Sequence, residues 1–212
     1  MRRTLIAIGA AGACLFAARS AQATFPGANG RIAFTHQSDW GDLSIATMNP
    51  DGSDVRQLGP GSDPVWSADG RRILYTNEGD IYVLRADGSN KRQITFTTRA
   101  EWDPSFSPGG ARIAYWQRNV PSRDAPLRVM TMRSDGSDPH TLVREAIYPE
   151  WAPNGRHIAY IAIDARGPNS GPALWTMRPD GSHRRSVYDP GPYPRHHFDG
   201  FPSPPHYAPD SR

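Results

Sequence analysis

The feature that most constrains this chain is that it repeats itself. Pro64-Val65-Trp66-Ser67-Ala68-Asp69-Gly70 leads into Arg72-Ile73-Leu74-Tyr75, then Ile81-Tyr82-Val83-Leu84-Arg85, Asp87-Gly88-Ser89 and Arg92-Gln93-Ile94. Residues 104–142 restate the order with Phe106, Gly109-Gly110, Ile113-Ala114-Tyr115 and Asp135-Gly136-Ser137. Residues 149–187 do so with Trp151, Asn154-Gly155, Ile158-Ala159-Tyr160 and Asp180-Gly181-Ser182. A first copy is incomplete: it has Ile32-Ala33-Phe34, Ile45-Ala46-Thr47-Met48 and Asp51-Gly52-Ser53, with no counterpart of the Pro-x-Trp run. The Asp-Gly-Ser turns lie 36, 48 and 45 residues apart.

Each unit holds four short β-prone runs, A to D in order, and Asp-Gly or Asn-Gly between such runs supplies the positive φ that tight hairpins require. Four strands in a period of about 40–45 residues make a β-propeller blade. We therefore expect an all-β propeller of four-stranded blades, about four of them, with repeats near residues 25–61, 62–99, 100–145 and 146–188. The runs Ile-Leu-Tyr and Ile-Ala-Tyr are apolar on both faces, as sheets stacked between neighbours require. Composition agrees: 20 Gly and 21 Pro provide the turns, while 10% aromatics argue against a disordered chain.

The N-terminus reads as a leader. Met1-Arg2-Arg3 is positive, Thr4 to Ala18 is apolar but too short to span a bilayer, and Ala21-Gln22-Ala23 is a small-residue cleavage site. We expect residues 1–23 to be a signal peptide, residues 24–212 to be the mature propeller, and the protein to be exported to the periplasm or the medium. Removing the leader takes away Arg2, Arg3, Arg19 and no acid, so 24 basic residues fall to 21 against 21 acidic ones. A neutral mature chain offers no electrostatic footprint for nucleic acid, and no integral membrane segment is expected in it. Cys14, the one cysteine, leaves with the leader, so neither disulfides nor thiol catalysis are expected.

In such a blade the A–B and C–D turns fall on one face of the ring and the B–C and D–A connections on the other. The first set is short and uniform. The second varies, and includes Gln37 to Asp42, Gln117 to Pro126, Asp164 to Pro172 and Asp189 to Phe201. Diversity carried on one side of a rigid scaffold points to binding there. The candidate binding residues are Trp40, Arg118, Arg123, Asp124, Arg166, His196, His197 and Phe198, types suited to a protein or sugar interface. The recurring Trp66, Phe106, Trp151 and Tyr207 read as packing between blades. Asp69 and Gly70, and the pairs Asp87-Gly88, Asp135-Gly136 and Asp180-Gly181, read as turns. Each turn offers one carboxylate, far from the six to eight oxygens calcium prefers.

Pro-x-Trp-Ser-x-Asp-Gly-x-x-Ile-x-Tyr, followed by Ile-Tyr-Val and an Asp-Gly-Ser turn before Arg-Gln-Ile-Thr, resembles the repeat of TolB-like β-propellers over residues 25–212. This chain departs from it at Gly109 and Asn154, where Asp69 stands in the second copy, and at Phe106 in place of Trp66. The resemblance implies an exported scaffold, without cofactor and without catalysis, that binds an envelope or extracellular protein. A glycan is the alternative partner. Similar propellers serve as oligogalacturonate lyases with metal-bound histidines, and His196, His197 and His206 would be the ligands were this chain one of them. No Gly-x-Ser-x-Gly elbow or phosphate-binding Gly-rich loop is present. The C-terminal Pro205-His206-Tyr207-Ala208-Pro209-Asp210 matches Pro64 to Asp69, so one expectation is that residues 202–212 supply strand A of the incomplete first blade and close the ring; a fragment of a larger ring, or two chains paired through their open ends, are the alternatives.

Overall fold

The computed structural model describes residues 30–119, 125–163, 171–189 and 204–207. The expected leader lies outside them. The described secondary structure is all β, in four antiparallel sheets that follow the chain in order. The first contains β1 (Ile32–Gln37), β2 (Leu43–Met48) and β3 (Arg56–Pro60). The second contains β4 (Ser62–Trp66), β5 (Arg72–Asn77), β6 (Asp80–Arg85) and β7 (Arg92–Gln93). The third contains β8 (Arg99–Phe106), β9 (Arg112–Asn119), β10 (Arg128–Arg133) and β11 (His140–Arg144). The fourth contains β12 (Ala146–Trp151), β13 (Ile158–Ala162), β14 (Ala173–Met177) and β15 (Arg185–Tyr188).

Each sheet is a simple meander, so neighbouring strands in the chain are neighbours in the sheet. Each sheet packs on the one before through its first strand: β4 lies against β1 and β2, β8 against β5 and β6, and β12 against β9 and β10. That stacking explains why Ile73, Leu74 and Tyr75 of β5 are all buried, although successive side chains of a strand point to opposite faces. Ile113, Ala114 and Tyr115 of β9 and Ile158, Ala159 and Tyr160 of β13 are buried for the same reason.

The packing residues fall between blades. Trp66 joins Ile45 of the first sheet to Ile73 of its own. Phe106 sits with Leu74 and Ile81 of the second sheet and Ile113 of the third. Trp151 sits with Ala114 and Val129 of the third and Ile158 of the fourth. The first sheet has three strands, as its incomplete repeat requires. Of the segment expected to complete it, Pro204–Tyr207 are described and are not in a strand; Tyr207 lies beside the fourth sheet, where burial pushes its hydroxyl up, with Glu150 adding and Arg185 opposing. The remainder of 202–212 lies outside the described residues. Among the described residues no helix is long and apolar enough to cross a membrane.

Candidate functional site

The strand nearest the axis of each complete blade is broken at the same place. Its register shifts between Ser62 and Val65, between Trp102 and Ser105, and between Ile147 and Glu150. At each shift a residue preceding proline takes a positive φ: Asp63 (54°), Asp103 (47°) and Tyr148 (55°). A β-bulge re-aims the side chain it carries, and left-handed backbone at a non-glycine residue costs on the order of 1–2 kcal/mol. The three bulges bring their side chains together. Asp63 and Asp103 both push the Tyr148 hydroxyl up, secondary to its burial, and Asp63 adds to the burial that pushes Asp103 up. Trp116 Nε1 donates to Asp103 at 2.6 Å, stacks on Trp102 at 4.5 Å between ring centroids, and meets Tyr148 edge-on at 6.1 Å.

These side chains lie toward the face that carries the B–C and D–A connections. There the β1–β2 loop is tied by Ser38 N to Asp42 O, Gly41 N to Ser38 O and Asp42 N to Ser38 Oγ, each about 3 Å. This small ordered loop presents Trp40 with 92% of its surface in solvent. Phe96, on the β7–β8 connection of the same face, is 79% exposed. Other connections here are minimal: Glu78-Gly79 is a two-residue hairpin with both φ positive, and the single residues Gly61 and Glu145 join β3 to β4 and β11 to β12. A cleft of about 760 Å3 opens between the first two sheets, with Trp102 of the third at its margin, and is lined by Asp42, Gln57, Gly59-Pro60-Gly61, Asn77 and Glu78.

Of the binding residues expected from sequence, Trp40 and Arg118 are described. Arg118 is half-buried at the end of β9, its guanidinium 6.0 Å from the Trp102 ring. Arg123, Asp124, Arg166, His196, His197 and Phe198 lie outside the described residues, so the histidine trio is represented only by an exposed His206. The turn residues spend their carboxylates locally. Asp51, Asp87, Asp135 and Asp180 each accept from the serine backbone N–H two residues on at 2.9 Å, and Asp69 accepts from Ser67 and Arg71. The serine hydroxyls, first, and these backbone N–H groups, second, hold the carboxyls below their ordinary range. Sequence reasoning missed Asp63, Asp103, Tyr148 and Trp102; the signal was the residue before the repeated proline.

Two carboxyls of the inner strands, the buried Glu101 of β8 and the half-buried Glu150 of β12, are also perturbed. Glu101 is fully buried; its Oε1 accepts from Thr97, its Oε2 has no partner, and burial, with Asp80 adding, pushes it up against the pull of Thr97 and Thr95. Glu150 is pushed up to about 7 by burial, opposed by a hydrogen bond from Ser105.

Consecutive antiparallel meanders, three of them four-stranded and each laid through its first strand on the sheet before, define a β-propeller. The chain matches the TolB beta propeller domain over residues 16–192 and belongs to that family. It is 34% identical over 91 residues to a protein described as a TolB homolog from Chlorobium luteolum, an alignment covering 40% of this chain and 21% of the relative. The structure of a putative TolB from Agrobacterium tumefaciens superposes with a TM-score of 0.63 at 20% identity, over 76% of this chain and 61% of that one. An oligogalacturonate lyase from Vibrio parahaemolyticus superposes with a TM-score of 0.56 at 12% identity, over 73% of this chain and 48% of that one. The chain thus spans a minor part of its curated relative, and the two structural likenesses establish the fold alone.

Proposed function

We propose that this protein is an exported, non-enzymatic propeller that binds an envelope or extracellular protein through its B–C and D–A loops. The observation that carries this is Trp40. Burying an aromatic side chain removes about 150–250 Å2 from water, worth about 4–6 kcal/mol at about 25 cal/mol per Å2. The fold forgoes that gain at a loop held by three hydrogen bonds, so the exposure is built in and not a consequence of a floppy segment. Phe96 adds a second large apolar group to the same face. Exposed aromatics on an ordered loop are the anchors protein interfaces favour. Export is supported by the leader pattern of residues 1–23.

The same proposal includes closure of the first blade by residues 202–212. Ile32 of β1 is 38% exposed, whereas its counterparts Ile73, Ile113 and Ile158 are at 0%. That difference marks β1 as the edge that a first strand would cover; Pro204–Tyr207, beside the fourth sheet, are not in a strand, so the pairing itself is the proposal. The binding reading is tested by affinity capture from envelope extract with the mature protein and with Trp40→Ser as bait. We expect a protein retained by the first and depleted at least about tenfold with the second. Equal retention by both baits would remove Trp40 from the interface and the proposal with it.

A further inference from the structure

The cleft beside Trp40 has a chemistry of its own. Its walls come from three connections of the loop-bearing face: Gly41-Asp42 after β1, Gly59 to Ser62 between β3 and β4, and Asn77 to Gly79 between β5 and β6. Asp42 and Glu78 bring two carboxylates, and no Lys, Arg or His lines it. Both carboxylates are exposed to solvent and free to meet a ligand. The Gln57 amide is oriented: Ser44 Oγ donates to its Oε1 at 3.1 Å, which leaves the NH2 as a donor. Trp102 stands at the far wall as the one aromatic group. Its ring is backed by Trp116, which is itself fixed by Asp103 and by the edge contact with Tyr148. A braced indole beside hydroxyls, amides and acids, with Leu43 and Pro60 as the aliphatic walls, suits a ligand that combines a flat C–H face with many hydroxyls.

We infer that this cleft binds a neutral oligosaccharide, one pyranose ring stacking on Trp102 while its hydroxyls bond to Asp42, Gln57, Asn77 and Glu78. The two carboxylates accept hydrogen bonds from sugar hydroxyls and repel an acidic sugar. No cation lines the cleft to meet a uronate; Arg118, at 6.0 Å from the Trp102 ring, and Lys91, over the Tyr75 and Tyr82 rings, are not among its lining residues. An extended peptide is the weaker fit: it would seek a regular strand edge or apolar side-chain pockets, and the edge strand β3 that lines the cleft ends in Gly59-Pro60, where proline has no N–H to offer. This assignment shares the face of the protein-binding reading but not its occupant, and stands whether or not a protein is captured there.

The test is titration of the purified mature protein with chitotriose, cellotriose and trigalacturonate, followed by tryptophan fluorescence and calorimetry. We expect at least one neutral trisaccharide to bind, and trigalacturonate to bind at least about tenfold more weakly. Trp102→Ala should weaken the neutral sugar by about tenfold or more, and Trp102→Phe should restore most of the loss. Trp102 is partly buried, so a second variant avoids the core: Asp42→Asn with Glu78→Gln changes only exposed groups, and should bring trigalacturonate to within about threefold of the neutral sugar. Tighter binding of trigalacturonate by the unaltered protein would overturn the inference. So would the absence of binding by either neutral sugar at millimolar concentration, displacement of neither by any change at Trp102, or retention of a peptide pool in the cleft in place of sugar.

Discussion

The recurring glycine of the Asp-Gly-Ser turns does two things, and the turns differ in how much of the second they need. All four take positive φ, from 81° to 92°, a conformation that costs an L-residue about 1–2 kcal/mol. Three also lie against the blade before. A Cβ on Gly88 would meet Leu58 at 3.0 Å, one on Gly181 would meet the Leu142 carbonyl at 3.1 Å, and one on Gly136 would collide with the carbonyl of Ile94. Gly52, in the first blade, has nothing within 4 Å. Gly52→Ala is therefore expected to cost about 1 kcal/mol, and Gly136→Ala about 2–4 kcal/mol, since its clash is with backbone. Denaturant unfolding of the two variants reads the difference, and equal losses would show that inter-blade contact adds nothing at this turn.

At the scale of the strand, the four-run units, their order and their meander pairing were legible because each A–D run and each turn recurs with its own residue types. The three missed bulges show where legibility stopped. Asp63-Pro64, Asp103-Pro104 and Tyr148-Pro149 differ in the residue that carries the strain, and proline ordinarily pushes its predecessor toward extended backbone, not into the left-handed region. Trp102 was invisible for a related reason: its role comes from the cleft between two sheets, which no local pattern encodes. The turns too are wider than two-residue hairpins, for Asp54, Asn90, Asp138 and His183 after them also take positive φ, from 53° to 55°. Strand β12 supplies a test of how these inner strands stack. Ser105 of β8 accepts the Trp151 N–H and bonds Glu150, whose burial lifts its carboxyl to about 7. A carboxyl raised on folding is better tolerated protonated, so its destabilising effect grows as pH rises from about 4.5 to about 7 and is constant above. Relative to Glu150→Gln, the unaltered protein should lose about 1–3 kcal/mol across that window. Parallel stability curves for the two proteins would contradict the buried placement.

At the scale of the whole molecule, the three four-stranded sheets and one three-stranded sheet of the described residues leave an exposed end. Ile32 and Phe34 of β1 are at least partly in solvent, whereas Ile73 and Tyr75, Ile113 and Tyr115, and Ile158 and Tyr160 are buried at the same repeat positions. If residues 202–212 cover that end, deleting them should lower the unfolding midpoint and broaden the transition; an unchanged transition would leave β1 without that partner. The central claim, that one face does the recognising, is tested most directly by photo-crosslinking in envelope extract from a reactive side chain placed either at position 40 or at position 154, on the opposite face in the turn Asn154-Gly155. We predict adducts to a discrete protein from position 40 and none above background from position 154. Adducts confined to position 154, or the same adducts from both, would contradict it.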